Sequence, residues 1–363
     1  MTITEVITHH VVSPVVRPYR NCCSEWIRER PATLVEVRTD NDLTGWGEPV
    51  AAPSPEDIET HVIGRSPFDY QVIFDNLSQN GRTSSACGIE IALWDLMGKA
   101  LDKPVYQLLG GSRRTHVPAY ASGFFKREGV DHITDVVEET TRCANEGYKA
   151  VKLRTGFGRD LDEQIVSAVR EAIGPDVGLA IDVNTGYDVA TAIDVGRCLE
   201  GYDLLWYEEP IAGDSVEGYL AIKEALPIQL SGAESLSGLH AFRDIVQNQA
   251  LDIIQPDISR AGGFTEGRRI CALASANDVR VIPHMFGSVV RLAATLQWLA
   301  TLTDDPPDAL FPTYLELDVM ENKLRTDLAL TSFELVDGFM AIPDRPGLGV
   351  EIDLQALTKY AQG

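Results

Sequence analysis

Residues 178–210 read GLAIDVNTGYDVATAIDVGRCLEGYDLLWYEEP. A short apolar run closes on an acid, Asp182. An amphipathic stretch follows, and then a second apolar run closes on another acid, Glu208. The next run, IQLSGAE (228–234), repeats the figure and closes on Glu234. Short buried strands alternating with amphipathic helices describe a parallel sheet, because crossover helices cover both of its faces. The same rhythm extends in both directions. Strand candidates lie at 117–122 (VPAYAS), 148–154 (YKAVKLR), 252–258 (DIIQPDI), 279–284 (VRVIPH) and 314–318 (YLELD). Helical stretches such as 161–174, 216–227 and 262–278 fall between the runs. Eight strands of this kind predict a (β/α)8 barrel. A doubly wound open sheet would carry a Gly-rich phosphate turn after its first strand, and no G-x-G-x-x-G stands there.

The first 110 residues have another character. Residues 3–16 and 33–39 alternate as strands, and TGWGEP offers a third after the Asn41–Asp42 turn. Helical stretches follow: SPEDIETHVIG, capped by Ser54 with Glu56 and Asp57 in its first turn, and CGIEIALWDLMGKAL. We therefore expect an α/β chain: a modified (β/α)8 TIM-like barrel over 116–330 and an α+β capping domain over 1–115. The Gly/Pro-punctuated tail, 331–363, is expected to return to the capping domain.

Composition narrows the function. Fifty-four acidic against 31 basic residues leave a net charge of −23, which repels phosphate backbones and argues against nucleic-acid binding. Only eight of the basic residues are Lys. Abundant carboxylates with few lysines resemble the proteins of salt-loving cytoplasms, where screening suppresses self-repulsion. No apolar run reaches the roughly 18–20 residues of a membrane span. MTITEVITHH has no signal-peptide pattern, so a cytoplasmic protein is expected. The six cysteines show no metal spacing and read as free thiols.

Asp182, Glu208 and Glu234 fall at intervals of 26 residues, each closing a strand candidate. They should meet at one rim of the barrel. Three converging carboxylates repel unless a cation sits among them, and all-oxygen donors suit a hard one, Mg²⁺ first. The next two strands close on Asp257 and His284. An Asp accepting from one imidazole nitrogen fixes the tautomer and raises the basicity of the other, which makes His284 a general base. Glu316 closes the eighth strand candidate. Lys152 and Arg154, spaced i and i+2, share a face and point into the same space, as do Asp182 and Asn184, and Asn184 is a substrate-binding candidate. A divalent cation, cationic side chains and a His–Asp base suit removal of a proton next to a carboxylate, whose enediolate needs such stabilisation. No P-loop, kinase motif or G-x-S-x-G elbow points elsewhere.

At these residues the chain resembles the enolase superfamily, in its mandelate racemase subgroup. The likeness runs through GWGE (45–48), IALWDLMGKA (91–100), LLGG (108–111), K-x-R, D-x-N, EEP, GAES, QPD and PH in order. It implies metal ligands at Asp182, Glu208 and Glu234, a base at His284 with Asp257, and an electrophilic carboxyl at Glu316. It also implies capping loops near Tyr19–Trp26 and Gly47–Ala52 that close on substrate, with Tyr19 and Trp26 as substrate-binding candidates. Relatives that lactonize muconate, form succinylbenzoate or epimerise dipeptides keep a Lys on the sixth strand, where this chain has Asp257. YASGFFKREGVD (120–131), GFG (156–158) and PGLGVEI (346–352) bring the sequence nearest to lactone cycloisomerases and acid-sugar dehydratases. Arg154 stands where the family usually has a second Lys, and a guanidinium does not readily act as a base. The expectation is α-proton abstraction from a sugar acid or aldarolactone, followed by β-elimination. An epimerase, using Lys152 on the second face, and a silent metal-binding scaffold are the alternatives. The expected partner is a small carboxylate, and the likeness implies a homo-oligomer.

Overall fold

The computed structural model describes residues 1–303 and 311–362. The amino-terminal segments form an antiparallel sheet of β1 (Ile3–Arg20), β2 (Ile27–Thr39) and β3 (Thr44–Gly47). Its fourth strand, β5 (Lys126–Arg127), comes from beyond the first barrel strand and pairs with Tyr19 and Arg20 at the end of β1. This ladder ties the capping sheet to the mouth of the barrel.

The helix Thr83–Leu101 lies across this sheet and is buried nearly all round, which explains its almost unbroken apolar sequence. The glycines of GWG permit the contact. A Cβ at Gly47 would stand 1.9 Å from the Gly88 carbonyl oxygen, and one at Gly45 2.2 Å from that of Ala92. The predicted Ser54 cap is present, with Ser54 accepting from the Asp57 amide at the start of the helix Pro55–His61.

Among the described residues, eight parallel strands build the barrel: β4 (His116–Ser122), β6 (Ala150–Arg154), β7 (Gly178–Asp182), β8 (Leu204–Glu208), β9 (Leu230–Gly232), β10 (Ile253–Ile254), β11 (Arg280–Val281) and β12 (Leu315–Asp318). They pair in the order β11-β10-β9-β8-β7-β6-β4-β12. Between β11 and β12 the Met285 amide donates to the Glu316 carboxylate at 3.0 Å. Alternate residues face two cores. Val151, Leu153, Ile181 and Tyr207 pack outward under the helices, whereas Tyr120, Ala150, Ala180, Trp206 and Ile253 cluster within the barrel. Pleating then carries Lys152, Arg154, Asp182 and Glu208 inward, two and four residues along the strands that hold Ala150, Ala180 and Trp206.

The later strands are shorter than the sequence suggests, so Glu234, Asp257 and His284 lie just beyond β9, β10 and β11. Glu316 lies inside β12, which closes on Asp318 instead. The tail also divides its contacts. Its hairpin, β13 (Leu335–Val336) and β14 (Phe339–Ala341), pairs antiparallel with the start of β4. Gly347 and Ala361 instead bridge to Pro104 and Val11 of the capping domain.

Candidate active site

The carboxylates of Asp182, Glu208 and Glu234 each bring an oxygen within 4.8 Å of the others. Asp182 and Glu208 are adjacent in the parallel ladder. Glu234 reaches them because Ala233, just after β9, adopts a left-handed backbone (φ 74°). Glu208 is held from below, where Trp206 Nε1 donates at 2.9 Å and Gln255 Nε2 at 2.6 Å to the same oxygen. Lys152 Nζ contacts the other oxygen of Glu208 and stands 2.9 Å from Glu316 and 3.5 Å from Asp182. Arg154 donates to Asp182 and reaches Ser122 Oγ at 3.4 Å, with the Phe125 ring 4.7 Å from its guanidinium carbon.

His284 Nδ1 lies 2.7 Å from Asp257 Oδ2. Its Nε2 is 3.3 Å from Glu234 Oε2 and 4.0 Å from Glu316 Oε2. The imidazole therefore stands between its dyad partner and the acid cluster. Asp257 also accepts from the Ser259 amide and, at 3.1 Å, from Arg291 Nη1.

Charge in this space is strongly coupled. Burial works against the charged form of His284, but Glu234, Glu316 and Asp257 outweigh it and raise the imidazole to about 10. Burial would raise Asp257, yet Arg291 and His284 hold it down to about 2. Burial would likewise raise Asp182, and Arg154 and Lys152 keep it below the usual carboxylate range. Glu208 goes the other way, to about 8, through burial and the charges of Asp182 and Glu316, with Lys152 opposing. Lys152 is a firm cation despite its burial, because Glu208 and Glu316 face it. The neighbouring Glu209 is pushed up to about 9 by burial, Glu234 and Asp182, and one of its buried oxygens has no hydrogen-bond partner among the described residues. Crowded hard-oxygen donors whose like charges repel one another fit a divalent cation.

Three of the expected residues are placed otherwise than the strand pattern suggests. Asn184 does not share the pleat of Asp182, because the strand ends and Asn184 turns left-handed (φ 48°). It folds back into the site all the same, its backbone amide donating to Asp182 Oδ1 at 2.8 Å, its Nδ2 to Asp182 Oδ2 at 3.3 Å, and its Oδ1 accepting from Arg154 Nη1 at 3.4 Å. Tyr19 is fully buried, one layer behind the site. Its hydroxyl accepts from Arg30 at 2.8 Å and its ring lies 4.8 Å from that of Phe125, so Phe125 stands between Tyr19 and Arg154. Trp26 is half-buried beneath the Arg20 guanidinium, 5.3 Å from its ring centre, and makes no contact with the acid cluster among those described. The reading from sequence also missed residues. Gln255 was within sight, two residues before Asp257 in QPD. Arg291 stands out as the one charged residue in the buried helix Val289–Leu299.

The fold and this constellation define a barrel enzyme with a capping domain and an acid cluster facing a His–Asp dyad. Residues 135–356 match the family described as "Enolase C-terminal domain-like", and residues 3–110 match the "Mandelate racemase / muconate lactonizing enzyme, N-terminal domain". The chain belongs to the mandelate racemase and muconate lactonizing enzyme family of the enolase superfamily, and it is an enzyme.

It is similar to the D-galactarolactone cycloisomerase of Agrobacterium fabrum, with 36% identity over 375 residues and 99% of each chain covered. It is also similar to a D-galactonate dehydratase of Variovorax paradoxus, 31% identical over 349 residues with 88% of each covered. Among solved structures, the 3,6-anhydro-D-galactonate cycloisomerase of Zobellia galactanivorans superposes with a TM-score of 0.88 at 29% identity over the whole of both chains. No helix among the described residues is long and apolar enough to cross a membrane.

Proposed function

We propose that the enzyme removes the α-proton of a sugar acid or aldarolactone and then expels a β-oxygen. The observation that carries this reading is His284, with Nδ1 on Asp257 and Nε2 facing Glu234 at 3.3 Å. Asp182, Glu208 and Glu234 would hold Mg²⁺. Bound there, the ion supplies Lewis-acid stabilisation of charge building on the substrate carboxylate.

The chain's own groups do the rest. With the charge of Glu234 offset by the ion, His284 would be neutral, and its Nε2 takes the proton as the α C–H bond breaks. Asp257 keeps the other nitrogen protonated and the ring aimed. Lys152 lines the flank of the site where negative charge develops, and its pairing with Glu316 keeps that carboxyl ionised. The electron pair left at the α-carbon forms a double bond to the β-carbon, and the β C–O bond breaks. A departing hydroxide takes the proton that His284 Nε2 has gained, whereas a lactone oxygen departs as a carboxylate and needs none. With hydroxide leaving, the products are water and an enol that becomes a 2-keto-3-deoxy acid. With a lactone ring oxygen leaving, the ring opens. The names of the relatives, a galactarolactone cycloisomerase and acid-sugar dehydratases, support both variants.

Epimerisation would need a second base on the opposite face of the α-carbon. Arg154 is a poor candidate, and Lys152 is ringed by three carboxylates. The test is a panel of aldonates, aldarates and aldarolactones with Mg²⁺ in molar KCl, scored for keto acid. Formation from one compound, abolished by His284→Asn, is the expected result. A silent panel with solvent deuterium entering the α-position would replace this reading with an epimerase. Silence in both assays would end the sugar-acid assignment.

A further inference from the structure

The side chain of Glu48, the last residue of GWGE, is buried and leaves the capping sheet to meet the barrel. It accepts from the Ser288 amide at 3.2 Å, the Ser288 hydroxyl at 2.5 Å and the Arg291 amide at 3.2 Å, all at the start of the helix Val289–Leu299. Its second oxygen lies 3.1 Å from Arg291 Nη2. The other arm of that guanidinium, Nη1, donates to Asp257 Oδ2 at 3.1 Å and to the Phe286 carbonyl at 3.4 Å.

Asp257 Oδ2 is the oxygen that holds His284, and Phe286 is two residues beyond His284. Arg291 thus grips both the partner of the base and the loop that carries it. Gly287 leaves room for the grip. A Cβ there would stand 2.6 Å from both Arg291 Nε and Glu48 Oε1. A planar fork with two arms suits this bridge, whereas a Lys reaches only one carboxylate at a time.

We propose that Glu48 and Arg291 are positioning residues through which the capping domain sets the aim of His284, by holding Asp257 and the loop at Phe286. The proposal rests on the reading of His284 as the base.

The test uses the full-length protein with Arg291→Met, Arg291→Lys, Glu48→Gln and Gly287→Ala, each first checked for native circular dichroism. On the compound found in the panel, Arg291→Met should lower kcat by about ten- to a hundredfold with KM nearly unchanged, the usual cost of losing an outer partner of an aimed group. Arg291→Lys should recover part of the loss. Gly287→Ala, which displaces the pair without touching His284 or Asp257, should lower kcat in the same sense.

A second readout needs no substrate. In protein carrying isotope-labelled histidine, the Nδ1 proton shared with Asp257, assigned by its loss in His284→Asn, should shift or broaden in Arg291→Met and Glu48→Gln. Folded variants with an unmoved resonance would overturn the proposal, as would a kcat equal to that of the parent. If no compound in the panel turns over, the reading of the reaction fails, and the resonance alone still decides whether the pair aims His284.

Discussion

His284 is the residue on which the chemistry turns, and its surroundings say what its loss should do. With Nδ1 on Asp257 and Nε2 toward the acid cluster, it has no substitute among the described neighbours, since Lys152 and Arg154 are both held as cations. His284→Asn should cut turnover by about 10²–10⁴-fold, the span of general-base catalysis, while Mg²⁺ binding by calorimetry survives. Glu234→Gln should do the reverse first. It removes one of three charged donors, so Mg²⁺ affinity should fall by about tenfold or more in the same titration. Equal Mg²⁺ affinity in Glu234→Gln and the parent would remove Glu234 from the ligand set.

Among elements, the helix Thr83–Leu101 is the joint of the molecule. Asp95 accepts from the Trp46 amide at 2.9 Å and from the Leu348 amide at 2.8 Å, joining β3 to the tail. Glu90 accepts from the Phe264 and Thr265 amides at the start of the helix Gly263–Ser275, joining the cap to the barrel. Gly47→Ala forces a methyl group onto the Gly88 carbonyl, and we expect ~1–3 kcal/mol lost in urea unfolding.

The helix His132–Asn145 carries a different load. His132 is buried at its first turn against the Phe157 ring, and neither ring nitrogen has a hydrogen-bond partner among the described residues. Burial, and then Lys126, push its imidazole down to about 4 from 6.5. The unfolded chain takes the proton first as pH falls. The stability this group contributes above pH 6.5 is therefore lost on acidification toward about 4. Thermal unfolding should show a shallower loss over that window in His132→Phe than in the parent.

For the whole molecule, the dominant global term is charge. A net −23 carried largely on the surface favours expansion through self-repulsion, and molar salt shortens the screening length to about 3 Å. The melting temperature should rise steadily between 0.1 and about 2 M KCl. A melting temperature indifferent to KCl would leave the acidic composition without the role assigned to it. The six cysteines are all free thiols, so reductant should not alter that curve.

The repeating strand–helix rhythm and the acid-terminated apolar runs were enough to read the barrel and to foresee that Asp182, Glu208, Glu234, Asp257 and His284 come together. Periodicity places a side chain on a face, and equal spacing in successive strands brings those faces to one rim. The strand ends were less legible. Whether Glu316 closes β12 or lies inside it depends on which backbone groups find partners, and only the assembled ladder decides that. The fates of Tyr19 and Asn184 likewise depended on Arg30 and on a left-handed turn. Glu48 is separated from Arg291 by 243 residues, yet one guanidinium joins it to Asp257. No local pattern encodes such a contact, because it exists only once two separately patterned domains have packed together and excluded water from the charges between them.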